Sequence, residues 1–160
     1  PGSVLQKLGD VNYGRSNATS FGKEVARHRS IYLPVIRNAL PEALRVFDFA
    51  EPSLIVGRRQ ITTVATQALY LLNDPFVLEQ TDAIARRLID FSTEVRERID
   101  LAYTLTLGRP ATTLERERSL ALLQDIGAGL NAKNDQERQR VAWATLAQGL
   151  IASAEFRYLN

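Results

Sequence analysis

Apolar residues recur at helical spacing through most of the chain after residue 60, in segments that short loops separate. The clearest segment is the last, where a helix is expected to begin at Asn134 or Asp135, either of which can cap it. Its predicted core-facing residues are Val141, Ala144, Ala147, Leu150, Ile151 and Ala154. The whole pattern predicts a mainly α protein, a compact bundle of about five to six short helices behind an extended N-terminal segment.

Two helices with clear boundary signals precede the last one. A helix over residues 94–107 is expected to end at Gly108, with Ile99, Ala102, Tyr103 and residues 105–107 facing the core. The sequence Thr112-x-x-Glu115 is a capping box, in which a hydroxyl and a carboxylate accept bonds from N–H groups left free at a helix start. It predicts a helix to about residue 127, with inward-facing Leu120, Leu123 and Ile126.

The run Asn73-Asp74-Pro75 marks the boundary between two further helices. The first is expected to begin after Thr63, with Val64, Ala68, Leu71 and Leu72 on one face. Asp74 can cap the second while Pro75 takes its first position, where the missing N–H of proline costs nothing. The predicted apolar stripe of that helix is Val77, Thr81, Ile84, Ala85 and Leu88.

The first part of the chain has a different pattern. Residues 1–26 combine sparse apolar side chains with recurrent glycine, which indicates a linker or extended segment. Residues 31–36 are apolar and rich in β-branched side chains, and Pro34 would break a helix there. Pro41 and Glu42 open a short predicted helix over residues 41–47. We therefore predict one helical domain over residues 27–160.

Composition restricts the chemistry of the chain. With 20 basic and 18 acidic residues the formal net charge is +2, too balanced to indicate nucleic-acid binding. The absence of cysteine and the single histidine, His28, exclude disulfides, Cys/His zinc sites and c-type haem attachment within the chain. No apolar run approaches the roughly 18 residues of a membrane span. No nucleophile elbow, phosphate loop or zinc-binding helix motif occurs in the sequence.

The densest set of polar side chains lies between residues 29 and 73, and it has two interpretations. In the first, these groups pair inside the protein, for example Asp48 with Arg37 or Arg59. In the second, they converge on a cleft for an anionic or sugar-like ligand, with Tyr32, Phe49 or Trp143 as a stacking face. The candidate ligand-binding residues are Arg29, Tyr32, Arg37, Asn38, Asp48, Arg59 and Gln67. No catalytic or metal-binding residue is predicted.

A series of short motifs extends from residue 29 to the end of the chain. They are Arg-Ser-x-Tyr-Leu-Pro-Val-x-Arg-Asn at 29–38, Phe47-Asp48, Gly57-x-Arg59, Thr62-Thr63-Val64, the segment 67–77, Leu107-Gly108-Arg109-Pro110 and the closing segment 155–160. Together they resemble a planctomycete-specific domain of unknown function that is the C-terminal domain of many large exported planctomycete proteins. The resemblance is to the C-terminal portion of that domain and covers most of residues 27–160, with Ala65 and His28 as small departures.

The resemblance implies a setting rather than a reaction. It implies an extracytoplasmic protein, periplasmic or at the cell surface, because proteins that look like this usually carry a second planctomycete-specific domain upstream and often a cytochrome c-like haem module or a lectin-like sugar-binding module. The implied partners are therefore the upstream domains and polysaccharide. No cofactor is expected in this chain, because haem in the parent protein would be bound elsewhere.

Two functions follow as hypotheses. The first is a non-catalytic helical structural and interaction module of a larger exported protein that helps it to assemble or to recognise polysaccharide. The alternative is one part of an enzyme active site for glycan or sulfated-sugar breakdown, completed by upstream domains. Under either hypothesis, the domain is not expected to be an enzyme by itself.

Overall fold

The computed structural model of the protein describes residues 42–47, 64–129 and 134–158, which form helices without any strand. In chain order the helices are α1 (Glu42–Val46), α2 (Val64–Asn73), α3 (Pro75–Phe91), α4 (Val95–Leu107), α5 (Thr113–Gly129), α6 (Asp135–Ala152) and α7 (Ala154–Arg157). The predicted mainly α bundle is confirmed. The chain divides into two compact units, residues 1–67 and 68–160. The extended segment predicted at 31–36 lies outside the described residues.

The predicted boundary at Asp74 is confirmed. The Asp74 carboxylate accepts hydrogen bonds from the backbone N–H groups of Phe76 and Val77 at 3.0 and 3.2 Å, and Pro75 is the first residue of α3. Because these N–H groups have no partner within the helix, the aspartate and the proline together fix where α3 begins. The buried residues of α3 are Val77, Thr81, Ala85 and Leu88.

The boundary between α4 and α5 also follows the sequence signals. Gly108 ends α4 in the left-handed conformation, with φ of 74°, which glycine adopts without steric cost. The capping box then starts α5: the Thr112 N–H donates to Glu115 Oε2 at 2.7 Å, and the Glu115 N–H donates to Thr112 Oγ1 at 3.4 Å. Residues within the turn therefore determine both where α4 ends and where α5 begins.

Helix α6 is the centre of the 68–160 unit, since it packs against α3, α4, α5 and α7. The main core cluster joins α3, α4 and α6, with side chains of α5 packed against it, and Leu88 and Ile99 are its largest fully buried side chains. A second cluster of Leu71, Val77 and Ile151 joins the end of α2 to α3 and α6. The residues that α6 buries are Ala142, Trp143, Leu146, Ala147, Leu150 and Ile151.

Three predicted core positions are wrong in detail, because Leu72, Leu105 and Ala154 are exposed. Leu72 and Leu105 each lie beside the inward stripe of a helix that contacts its neighbours on one side, so the helical turn carries them outward. Ala154 follows Ser153, whose extended backbone ends α6 and starts the one-turn helix α7. The helical spacing of α6 does not continue past that bend.

None of the helices that the structure describes has the length and apolar character needed to cross a membrane.

Candidate functional site

Of the seven candidate ligand-binding residues, Gln67 alone falls within the described part of the chain. Its side chain is buried, and its Nε2 donates to the backbone carbonyl of Val46 at 3.4 Å. The other six, Arg29, Tyr32, Arg37, Asn38, Asp48 and Arg59, lie outside the described residues. Gln67 and Val46 both belong to the 1–67 unit, so this hydrogen bond is internal to it.

A concentrated polar site in the described part of the 68–160 unit is centred on Arg109, in the loop between α4 and α5. Its guanidinium binds Glu115, at the start of α5, through Nη1 to Oε2 at 2.9 Å and Nη2 to Oε1 at 2.8 Å. It also binds Glu155 of α7 through Nε to Oε1 and Nη2 to Oε2, both at 2.7 Å. We call Arg109, Glu115 and Glu155 the arginine clamp.

The clamp uses every hydrogen-bond donor of its arginine. A guanidinium has five N–H groups in a fixed planar arrangement. Four of them bind the two glutamates, and the fifth, on Nη1, donates to the carbonyl of Pro110 at 3.2 Å. An anionic ligand would therefore have to displace a glutamate to bind Arg109. The geometry is that of a structural cross-link between helix ends.

The clamp also shifts the acid–base equilibria of its members. Hydrogen bonds from Arg109, and then the backbone N–H of Thr112, lower the pKa of Glu115 from 4.5 to about 2. Hydrogen bonds from Arg109 likewise lower the pKa of Glu155, and the two glutamates raise the pKa of Arg109. All three groups therefore stay charged at neutral pH, and neither glutamate has the raised pKa that a general acid needs there.

A tyrosine connects the clamp to the core. The guanidinium carbon of Arg109 lies 5.8 Å from the ring centre of Tyr103, a cation–π distance. Tyr103 is buried in the main cluster, and its hydroxyl lies 3.5 Å from Ser119 Oγ, which is also buried. The guanidinium of the clamp therefore packs on a tyrosine of α4 that is itself held against α5, and this contact fixes its position.

A second arginine, Arg98, is buried near the start of α4. Its Nε and Nη2 donate to the backbone carbonyls of Ser92 and Ile89, the latter at 3.2 Å. These carbonyls lie at the end of α3, where the helix leaves them without internal partners. The guanidinium lies 5.8 Å from the ring centre of Trp143. Arg98 therefore caps α3 and packs against α6.

The use of Trp143 as a stacking face for a ligand is contradicted. The side chain is 3 % exposed and lies in the main core cluster. Its apolar ring is surrounded by the helices that α6 contacts, and Arg98 occupies the ring face. The physical reason is position: Trp143 lies on the part of α6 that is buried in a cluster with side chains of α3 and α4.

Sequence reasoning missed both arginines as organising groups. In the sequence Arg109 belongs to the motif Leu107-Gly108-Arg109-Pro110, and its position six residues before the capping-box glutamate is a local signal for the first half of the clamp. Glu155 is 46 residues away from Arg109, so no spacing in the sequence could reveal the second half.

A further ion pair joins α4 to α5: Arg116 donates to Asp100 at 2.8 and 3.1 Å.

Within residues 42–47, 64–129 and 134–158, no group of three or more acidic or histidine side chains is placed to hold a metal ion.

Comparison with known proteins identifies the family to which the chain is similar. Residues 5–123 match the family described as PSD1, a protein of unknown function (DUF1553). No curated protein and no solved structure matches the chain. The matched range includes Arg109 and Glu115 of the clamp, and Glu155 lies beyond it. The predicted resemblance to a domain of unknown function is confirmed.

Proposed function

The chain belongs to the PSD1 family of proteins of unknown function, and from that premise we propose that it is a non-catalytic structural and interaction module. In this proposal it forms part of a larger exported protein, packs against the other domains of that protein and contributes to the recognition of polysaccharide. The export and the partners come from the family resemblance described above, whereas the non-catalytic role is argued from the geometry of the 68–160 unit.

The saturated guanidinium of Arg109 is the observation that carries the proposal. An arginine that serves a ligand keeps donors directed into open space, whereas all five donors of Arg109 bind protein oxygens. Two donors of Arg98, on Nε and Nη2, likewise bind backbone carbonyls at the end of α3. The strongest polar groups of the unit therefore support the helices.

Exposed aromatic rings supply the surface that the proposal requires. In the described part of the 68–160 unit, the exposed aromatic side chains are Phe91, Phe156 and Tyr158. Arg157 lies over the ring of Tyr158 at 5.6 Å, so one face of that ring is already used. Phe91 and Phe156 are consequently the rings that we expect a sugar or a neighbouring domain to contact.

The test is a binding measurement with neutral and sulfated polysaccharide fragments, using thermal unfolding and calorimetry on the 160-residue chain. We expect a fragment to stabilise the protein, and Phe156→Ala or Phe91→Ala to remove that stabilisation while the circular dichroism spectrum is retained. The control is Leu69→Ala, at an exposed apolar position without an aromatic ring. A chain that no fragment stabilises, and that does not associate with the other domains of its parent, contradicts the proposal.

The alternative, a shared active site for glycan or sulfated-sugar breakdown, depends on Arg29, Tyr32, Arg37, Asp48 and Arg59. It predicts turnover of a glycan by the full-length parent protein and loss of turnover in Arg37→Ala without loss of folding. Turnover that survives this substitution would count against it.

A further inference from the structure

Helix α5 carries apolar residues on two opposite faces. Its inner face packs Leu120 and Leu123 against the main core cluster, and the helix contacts α4 and α6 on that side. We define the outer face of α5 by the residues that helical geometry places opposite, all of them exposed: Leu114, Arg118, Ala121, Leu122, Asp125, Ala128 and Gly129. Four of these seven are apolar.

Two leucines make the outer face unusual for a surface helix. Leu114 is 54 % exposed and Leu122 is 40 % exposed. They are eight residues apart and therefore lie on one side of the helix, about two turns from each other. A helix that packs on one side normally presents polar residues on the other. An apolar stripe in that position is typical of a surface that another protein covers.

The charges on the outer face are arranged for one particular occupant. Arg118 and Asp125 are seven residues apart, which places them on the same side of α5 at a separation of about 10.5 Å along the axis. Neither makes an ion pair or a side-chain hydrogen bond with any described residue. A positive and a negative group at this spacing match an identical helix running in the opposite direction.

We propose that the outer face of α5 binds the same face of a second copy of the chain, as an antiparallel pair about a two-fold axis. The axis passes between Ala121 and Leu122, because positions whose numbers add to 243 then lie opposite each other. Arg118 faces Asp125 of the second copy, and symmetry repeats this ion pair on the other side of the axis. One charge pattern thus forms two salt bridges.

The sizes of the side chains fit the same register. Leu122 lies opposite Ala121 of the second copy, and Leu114 lies opposite Gly129. A Cβ atom added at Gly129 would meet nothing within 4 Å, so the space beside that glycine is open to a leucine. Small residues opposite large ones allow two helices to approach closely. Charge and shape therefore select one arrangement.

This pairing extends the proposed function, because it names a second copy as one partner of the module. It does not depend on polysaccharide recognition, since Phe91 and Phe156 are not on the outer face. A failure to bind any polysaccharide would leave the dimer intact, and a monomeric chain would leave polysaccharide binding intact.

Sedimentation equilibrium of the full chain, from micromolar to submillimolar concentration, tests the pairing. We expect a reversible dimer whose Kd rises by at least about tenfold in Arg118→Glu and in Asp125→Arg, because each substitution turns both ion pairs into repulsions. The double variant with Arg118→Glu and Asp125→Arg restores opposite charges and should restore dimerisation. Arg87→Glu, at an exposed position on α3, is the matched control and should leave the Kd unchanged.

Cross-linking gives a second readout, and the chain is suited to it because it contains no cysteine. Ala121→Cys places a thiol beside the two-fold axis and should form a disulfide-linked dimer under mild oxidation. Ala83→Cys, exposed on α3, should remain monomeric under the same conditions. A wild-type chain that stays monomeric throughout, or a dimer that neither the charge substitutions nor Leu122→Arg weakens, would overturn the inference.

Discussion

The two arginines of the 68–160 unit, Arg98 and Arg109, solve the same structural problem with different partners. Arg98 is buried and binds neutral backbone carbonyls at the end of α3. Arg109 is about a third exposed and binds two ionised glutamates, one at the start of α5 and one in α7. Both therefore act at helix ends. Arg98 binds carbonyls that have no partner within α3, and Arg109 binds the capping-box glutamate of α5.

The difference between these sites is their dependence on solvent and on pH. At a buried site water cannot replace a guanidinium that is removed, so the backbone carbonyls that it bound are left without hydrogen-bond donors. A guanidinium near the surface has water as a substitute, but its carboxylate partners can be protonated. We therefore expect Arg98 to contribute more stability at neutral pH, and Arg109 to contribute stability that acid removes.

The largest expected effect is that of Arg98→Ala. The substitution leaves the carbonyls of Ile89 and Ser92 without a charged donor and removes the contact with Trp143, so the free energy of unfolding should fall by about 3 kcal/mol. Urea unfolding followed by circular dichroism measures the change. Arg87→Ala on the exposed side of α3 is the control, and an equal loss in both variants would show that burial of Arg98 contributes nothing.

A smaller effect is expected at the turn that precedes the clamp. Gly108→Ala should cost about 1 kcal/mol, because alanine at a φ of 74° is strained although nothing lies within 4 Å of the added Cβ. Gly149→Ala, inside α6 and equally open, should instead stabilise the protein, since alanine favours the helix. Thermal unfolding of the two variants should shift the midpoint in opposite directions, and shifts of the same sign would refute this explanation.

The smallest effect is expected for the ion pair between Arg116 and Asp100, in which both side chains are about one third exposed. A double-mutant cycle with Arg116→Ala and Asp100→Ala should give a coupling of about 0.5 kcal/mol that decreases with salt. A coupling larger than the effect of Arg98→Ala would reverse the ranking of buried and exposed arginines.

Local rules predicted the helix boundaries well. Asp74 with Pro75, Gly108, the Thr112–Glu115 capping box and Asn134 each act within four residues of their own position, so the sequence carries the whole signal. The buried residues of α3 could also be predicted from the sequence, because the helix has a single apolar stripe and buries that stripe in the core.

Contacts between distant residues could not be predicted in the same way. Glu155 reaches Arg109 across 46 positions, and Gln148 donates to the carbonyl of Leu72 across 76. The sequence alone leaves Trp143 as a candidate surface for ligands, because its sequence neighbours do not reveal that four helices contact α6. The ligand-binding role of six candidate residues remains a prediction, since they lie outside the described residues: Arg29, Tyr32, Arg37, Asn38, Asp48 and Arg59.

The most direct test of the clamp as a structural device is urea unfolding of the wild-type chain and Arg109→Met between neutral pH and pH 2. The folded pKa of Glu115 is lowered from 4.5 to about 2, so its ion pair contributes fully above pH 4.5, and the contribution is lost as the pH falls toward 2. We predict that the wild type is the more stable protein at neutral pH and that the gap closes progressively through this range. A gap that stays constant as the pH falls, or no gap at neutral pH, would contradict a structural role for the arginine clamp.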